Sequence, residues 1–143
     1  MNDEKYMKMA IEESLKSLKE SDIPVGAVIV KNDVVISKSY NQCEKEKSVH
    51  AHAEINCIND AIKKIGNQYL DDCVMYVTME PCLMCYGAIT RTNIKKIVYG
   101  VANEKMGFTK YINYMPKIEI VQKICAKEIA EILNNFFKNK RNK

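Results

Sequence analysis

The first hydrophobic pattern along the chain has the spacing of a helix. Apolar residues recur every three or four positions over residues 4–20, which predicts an amphipathic helix that packs through one face. These apolar residues are Met7, Ile11, Leu15 and Leu18. Residues 25–30 and 34–37 are then rich in β-branched side chains, and the Lys31-Asn32-Asp33 turn between them predicts a β-hairpin.

Helices and strands alternate through the rest of the chain. From Ala51 the apolar positions again recur by four and three, and Gly66 stands where a left-handed cap would end this helix. The predicted elements are a helix at 51–65, a strand at 73–78, a helix from 81 to about 92, strands at 97–101 and 118–121, and a helix at 125–137. We therefore predict an α/β fold with one sheet, in a single domain over residues 1–143 that buries its own core.

Two short motifs carry strong metal ligands. They are His50-Ala51-His52-Ala53-Glu54 and Glu80-Pro81-Cys82-Leu83-Met84-Cys85. We expect His52, Cys82 and Cys85 to bind one zinc ion, because three protein ligands leave a position for water, as catalytic zinc requires. The combination of H-x-E with P-C-x-x-C is typical of zinc-dependent nucleobase deaminases.

The spacing of the motifs predicts where their side chains lie. Cys82 and Cys85 are three residues apart and share one face of a helix, whose positive N-terminal end favours thiolates. His52 and Glu54 would diverge in the middle of a helix, but both can reach a metal ion that lies just beyond a helix N-terminus. We therefore expect two helix N-termini to meet at one zinc. Zinc lowers the pKa of bound water to about 7, and Glu54 is predicted to carry protons between that water and the substrate.

Two alternative interpretations apply to these residues. The C-x-x-C pair also occurs in thioredoxin-like redox sites, but such a site has no use for His52 and Glu54. A closed structural zinc site would need a fourth ligand, and His50 is the nearest candidate. However, His50 and His52 point to opposite sides of an extended segment, so the sequence favours the open, catalytic site.

Composition narrows the class of protein. Hydrophobic residues make up 47% and charged residues 28% of the chain, as in globular proteins, and no apolar run approaches the roughly 20 residues of a membrane span. The charged N-terminus does not have the apolar core of a signal peptide, so we expect a cytoplasmic protein that contacts no membrane. The net charge of +4 is modest, but cations are concentrated at the C-terminal end, at Lys138, Lys140, Arg141 and Lys143.

With both motifs identified, the chain resembles the cytidine deaminase-like superfamily, and within it the bacterial tRNA-specific adenosine deaminases. The resemblance extends over nearly the whole chain, through residues 23–30, Asn41, residues 51–55, 76–85 and 87–89, and the aromatic tail at 136–138. It implies a three-layer α/β/α sandwich with a central mixed five-stranded sheet. It further implies a homodimer that converts the wobble adenosine of a tRNA anticodon to inosine.

The resemblance also assigns roles to individual residues. His52, Cys82 and Cys85 match the zinc ligands, and Glu54 matches the proton shuttle. The expected substrate contacts are Asn41, the backbone of Ala53, Asn103, Phe136, Phe137 and Lys138. Without the resemblance, the sequence favours a turn role for Asn41, whereas Asn103 is as typical of a turn as of a substrate contact.

The sequence departs from this family at two places. Asn103 stands where the family has aspartate, and residues 107–118 form a shorter segment without the expected histidine and asparagine. A small-molecule deaminase acting on guanine, cytosine or a nucleoside therefore remains an alternative, and its basic tail would be a solvated helix end. A catalytically silent zinc-binding partner subunit is a second alternative, but it would not need Glu54.

Overall fold

The structure is a computed structural model that describes residues 2–113 and 118–141. Its strands are β1 (Gly26–Lys31), β2 (Val34–Tyr40), β3 (Cys73–Met79), β4 (Lys96–Val101) and β5 (Glu119–Val121). Its helices are α1 (Asp3–Lys19), α2 (Cys43–Glu46), α3 (Ala53–Ile65), α4 (Leu83–Thr90) and α5 (Ala126–Arg141), with a 3₁₀ turn at Phe108–Lys110. The shortened segment at 107–118 includes residues 114–117, which lie outside the described part of the chain.

The five strands form one mixed sheet between two layers of helices. Their order is β2-β1-β3-β4-β5, with β1 antiparallel to β2 and β3, and with β3, β4 and β5 parallel. Ala27 and Ile29 of β1 pack on the side of α3 and α4, while Val28 and Val30 pack on the side of α1 and α5. The predicted α/β/α sandwich with a mixed five-stranded sheet is therefore confirmed.

The predicted elements are all present, with different bounds. Strand β2 continues to Tyr40 and α5 to Arg141, whereas α4 ends at Thr90, before the predicted residue 92. Gly66 does end α3 in the left-handed conformation, with φ at 78°. The short helix α2 lies in a polar stretch where the hydrophobic pattern predicts no helix or strand.

The predicted buried face of α1 is wrong at its C-terminal end. Leu15 and Leu18 are 42% and 38% exposed, although they continue the spacing of the apolar residues before them. The helix packs closely on the sheet at Gly26, where a Cβ atom would overlap the carbonyl oxygen of Ala10. This close approach requires small side chains, so the buried face follows Ala10, Ser14 and Ser17. The two leucines are turned outwards as a result.

The fold brings several loops to one edge of the sheet. The parallel strands β3 and β4 end there, and the loops that follow them begin at Glu80 and Ala102. The end of β2 and the start of β1 lie at the same edge, because β1 is antiparallel to both of its neighbours. Crevices outside the carboxyl ends of parallel strands are the usual binding sites of open α/β sheets. None of the described helices has the length and apolar character to cross a membrane.

Candidate metal and substrate site

Two helix N-termini meet at this edge of the sheet, as the motif spacing predicts. His52 is the N-cap residue of α3, and Cys82 is the N-cap residue of α4. Neither side chain caps its own helix, so both are available for another partner. Cys85 lies in the first turn of α4 and is fully buried.

The three side chains form a compact group. The ligand atoms of His52, Cys82 and Cys85 all lie within 4.8 Å of one another. The Nδ1 atom of His52 is 3.4 Å from the sulfur of Cys85 and 3.7 Å from the sulfur of Cys82. Tetrahedral zinc with ordinary bond lengths would place its nitrogen and sulfur ligands roughly 3.6 Å apart. The donor atoms therefore have both the chemistry and the spacing that zinc requires.

The electrostatics of the two thiols also suit a cation. Hydrogen bonding from the Cys85 thiol, aided by His52, lowers the pKa of Cys82 to about 4. The hydrogen bond to Cys82, together with burial, raises the pKa of Cys85 above its ordinary value. Two thiols this close cannot both ionise unless a positive charge compensates them. A bound divalent cation supplies that charge, and a thiol that coordinates it is deprotonated.

Glu54 lies beside this group in a buried position. Its side chain is 3% exposed, and burial raises the pKa of its carboxyl group to about 7. His52 acts in the opposite direction and favours the charged form. A metal ion bound beside Glu54 would act in the same direction as His52 and favour the charged form. Glu54 would then be a carboxylate that can accept a proton from a water molecule and pass it on.

Asn41 fixes the start of α3 from a different element. It follows β2 and is buried, and its side-chain oxygen accepts a hydrogen bond of 2.8 Å from the N–H of Ala53. Ala53 is the first residue of α3 and stands between His52 and Glu54. Asn41 thus satisfies one of the unpaired N–H groups at this helix start. Because the N–H of Ala53 donates to Asn41, the same hydrogen bond also holds the side-chain amide of Asn41 in place.

The group opens into one large cavity of about 1010 Å³. Asn41, His52, Glu54 and Cys82 line its floor, and the loop after β4 lines one wall with residues 102–106. Another part of the wall is formed by α5, through Ala130, Leu133, Asn134, Phe137 and Lys140. These α5 residues recur at helical spacing, and this periodicity is the sequence signal that could have identified Lys140.

The three predicted contacts at the end of α5 occupy different places. Phe137 is 39% exposed and lines the cavity, whereas Phe136 packs edge-on against Phe137 and lines a neighbouring groove. Lys138 is exposed and does not line the cavity. Lys140 lines both the cavity and the groove, and its ammonium group lies 5.6 Å from the Phe136 ring centre. The side chain of Arg141 and residues 142–143 lie outside the described part of the chain.

Asn103 lies in the cavity wall and also shapes a turn. Its side-chain oxygen accepts a hydrogen bond of 3.1 Å from the N–H of Met106, and its carbonyl accepts one from Gly107. Its own N–H donates to the carboxylate of Glu80, which is buried. Sequence reasoning gave Glu80 no role, although this acidic residue directly precedes the proline of the second motif.

His50 takes no part in the group of His52, Cys82 and Cys85, which is called the metal group below. It is exposed, and its N–H donates to the hydroxyl of Ser48. The group of His52, Cys82 and Cys85 therefore keeps the three-ligand composition of an open site. The presence of His52 within hydrogen-bonding distance of both cysteines favours a metal site over a dithiol redox pair.

Comparisons with known proteins agree with this geometry. The MafB19-like deaminase family model matches residues 1–141. The tRNA-specific adenosine deaminase of Aquifex aeolicus is 33% identical, over 99% of this chain and 98% of its own length.

Two solved structures have a similar fold. One comes from a study of A-to-I editing by tRNA:A34 deaminases at the wobble position of transfer RNA. It has a TM-score of 0.84 and 32% identity, over 90% of this chain and 99% of the other. The X-ray structure of guanine deaminase from Bacillus subtilis has a TM-score of 0.70 and 29% identity, over 100% of this chain and 96% of the other. The chain therefore belongs to the MafB19-like deaminase family, within the cytidine deaminase-like superfamily that its two motifs predict.

Proposed function

We propose that this protein is a zinc-dependent hydrolytic deaminase that converts the wobble adenosine of a tRNA anticodon to inosine. The observation that carries the proposal is the buried Glu54 carboxyl beside the group of His52, Cys82 and Cys85, at the floor of an open cavity. The reaction consumes one water molecule and releases ammonia, so the amino group of adenine is replaced by a carbonyl oxygen.

In this proposal one zinc ion per chain is held by His52, Cys82 and Cys85. When bound, zinc supplies a water molecule whose pKa is lowered to about 7. Glu54 takes the proton of the attacking water on its carboxylate and gives it to the ring nitrogen of the base. It then moves a second proton to the departing amino group, which leaves as ammonia. Asn41 orients the base above this carboxylate, and the N–H of Ala53 acts indirectly, because it holds the amide of Asn41 in place.

The walls of the cavity support a polynucleotide substrate. Its volume of about 1010 Å³ lies at the upper end of the range of about 300–1,000 Å³ for small-molecule pockets, so it leaves room beyond a single base. Phe137 offers a surface on which a base can stack, and Lys140 of α5 and Lys105 of the loop after β4 add positive charge to the cavity lining. Phe136 and Lys138, further out on α5, would extend this surface towards the anticodon arm. Asn103 would contact the sugar from the loop after β4.

We further propose that the protein acts as a homodimer in the cytoplasm, where tRNA is used. The support for a dimer comes from α4, which is apolar on every side although one side is exposed. Leu83 and Met84 at its start are 44% and 39% exposed, beside the metal group. A helix that is apolar all round is normally buried, and a second copy of the chain would cover this face.

A small-molecule deaminase is the second candidate. The similarity to guanine deaminase from Bacillus subtilis favours it, because that relative shares the fold over the whole of this chain. In that case the metal chemistry is the same, and the cations of α5 are solvated. A catalytically silent subunit is less well supported, since it would have no use for the buried Glu54.

One experiment distinguishes these candidates. The purified, zinc-loaded protein is incubated separately with tRNA, adenosine, cytosine, cytidine and guanine, and ammonia release is measured. We expect ammonia release only from tRNA and not from the other four substrates. Conversion of the wobble position is then read by sequencing, because inosine pairs as guanosine does. Release with a free base or nucleoside but not with tRNA would overturn the tRNA proposal. Absence of release from every substrate would overturn the deaminase proposal.

A further inference from the structure

Glu80 makes an unusually complete set of hydrogen bonds for a buried carboxylate. It stands between the end of β3 and Pro81, and its side chain is 3% exposed. One carboxylate oxygen accepts from the N–H of Asn103 at 3.2 Å. The other accepts from the N–H and the hydroxyl of Thr109, at 3.0 Å and 2.7 Å. Both oxygens are thus engaged by a segment more than twenty residues further along the chain.

The segment that Glu80 binds also packs directly on the loop of Pro81 and Cys82, which is called the metal-ligand loop below. Gly107 forms an isolated β-bridge with Cys82, and the N–H of Phe108 donates to the carbonyl of Pro81. The Phe108 ring stacks on Tyr86 of α4 with a centre-to-centre distance of 4.0 Å. The carboxylate of Glu80 fills the space beside Gly107, where a Cβ atom would overlap it. The backbone of Gly107 has φ at −61°, so glycine is needed there for space and not for conformation.

The bound segment begins with the residues that form one wall of the substrate cavity. Residues 102–106 line the cavity, and Asn103 anchors them to Glu80. The far side of this loop is tied down by Lys110 and Tyr111, which donate to the carbonyl groups of Glu104 and Lys105. Those two bonds hold the loop to its own continuation, whereas Glu80 holds it to the loop that carries Cys82.

We infer that Glu80 is a positioning residue for substrate binding, which holds the 103–109 segment against the metal-ligand loop. Its carboxylate fixes the distance between the cavity wall and the metal group, while the three metal ligands need no contact with it. Loss of this link would displace the wall that faces the substrate and leave the reacting groups in place. The inference rests on the proposed deaminase function for the choice of substrate, but the structural link can also be tested without turnover.

The direct test is Glu80→Gln. The amide oxygen can keep the two donors of Thr109, but the amide NH₂ then faces the N–H of Asn103, and two donors repel. We expect KM for the RNA substrate to rise about tenfold, which corresponds to about 1.4 kcal/mol, with kcat changed by less than about threefold. Zinc content should stay at the wild-type level. A fall in kcat at unchanged KM, or loss of zinc, would overturn the positioning role.

Amide hydrogen exchange measures the same link without catalysis. In Glu80→Gln we expect peptides from residues 102–111 to exchange about tenfold faster, while peptides from α3 keep the wild-type rate. This readout also applies if the wild-type protein acts on none of the substrates above, a result that would refute the proposed function but not the link. Equal acceleration in all peptides would mean that Glu80 only stabilises the fold and would overturn the inference.

Two further variants test the same link by changing residues of the 103–109 segment that Glu80 binds. Gly107→Ala pushes a methyl group against the Glu80 carboxylate without changing charge, and it should reproduce both the raised KM and the faster local exchange. Thr109→Val removes one donor and keeps the side-chain shape, so it should give a smaller effect of the same kind, even if Glu80→Gln fails to fold. Glu12→Gln, the same change on the exposed side of α1, is the matched control. Wild-type KM and exchange in both Gly107→Ala and Thr109→Val would refute the inference.

Discussion

Asn41 holds two roles that substitution can separate. Its backbone is fixed on both sides, because its N–H donates to the carbonyl of Val25 and its carbonyl accepts from the hydroxyl of Ser17. Its side-chain oxygen caps α3 through the N–H of Ala53, and the same residue lines the cavity. Asn41→Ala removes both the cap and the cavity amide. Asn41→Asp keeps the oxygen that caps the helix but replaces the NH₂ group that can donate to a base.

The size of the stability effect follows from burial. In Asn41→Ala the N–H of Ala53 is left buried without its partner, which costs about 1–3 kcal/mol. For a chain of this length, each kcal/mol lowers Tm by roughly 2–4 °C. We therefore expect Asn41→Ala to melt roughly 2–12 °C below the wild type. Asn41→Asp should melt close to the wild type, because a carboxylate is also a good acceptor at a helix start.

The activity effect should differ between the two variants. A lost hydrogen bond to the base costs about tenfold or more in kcat/KM, so both variants should be slow although only the alanine variant is unstable. Thermal unfolding followed by circular dichroism gives Tm, and ammonia release from tRNA gives kcat/KM. Asn59→Ala, at an exposed position of α3, controls for loss of an asparagine from the same region. Equal destabilisation in both variants would refute the capping role, and wild-type activity in Asn41→Asp would refute the base contact.

Two other substitutions and one truncation test the chemistry and the substrate. Cys85→Ser should lose zinc in metal analysis, because a buried hydroxyl replaces a thiolate ligand; a wild-type zinc content would refute the ligand set. Glu54→Ala should keep one zinc per chain and the fold but lose at least about 10²-fold in kcat, and a rate near that of the wild type would show that Glu54 moves no proton. Truncation after Phe137 removes Lys140 from the cavity wall. KM for RNA should rise, and the slope of log KM against log salt concentration should become shallower by about 0.7 for each lost phosphate contact. Unchanged RNA kinetics would favour a small-molecule substrate.

The grouping of His52, Cys82 and Cys85 could be predicted because these residues lie in two short motifs. The i, i+3 spacing of Cys82 and Cys85 places both side chains on one face of a helix. The order of strands and helices likewise follows from hydrophobic periodicity, since each element buries one side. What joins the two motifs is the sheet, whose parallel strands bring separate loops to one edge.

The remaining features depend on contacts between distant segments. The exposure of Leu15 and Leu18 results from the close approach of α1 to Gly26. The spacing of apolar residues within α1 does not show how closely the helix approaches this strand. The bond from Ala53 to Asn41 and the bonds from Asn103 and Thr109 to Glu80 each join residues far apart in the chain. The identities of these residues are visible in the sequence, but their pairing requires the fold.

Under the proposed function, the arrangement of the layers would separate the reacting groups from many of the substrate contacts. Glu54 and the metal group belong to α3 and α4 on one side of the sheet, whereas the α5 wall of the cavity belongs to the other side. A change in α5 or in residues 102–106 can therefore alter what enters the cavity without moving the ligand atoms. The relatives named for adenosine in tRNA and for guanine share this fold with the present chain, which is consistent with such a separation. The carboxylate of Glu80 joins the metal-ligand loop to the wall after β4, beside the backbone contacts of Gly107 and Phe108, so its substitution should alter substrate binding while the ligand atoms stay in place.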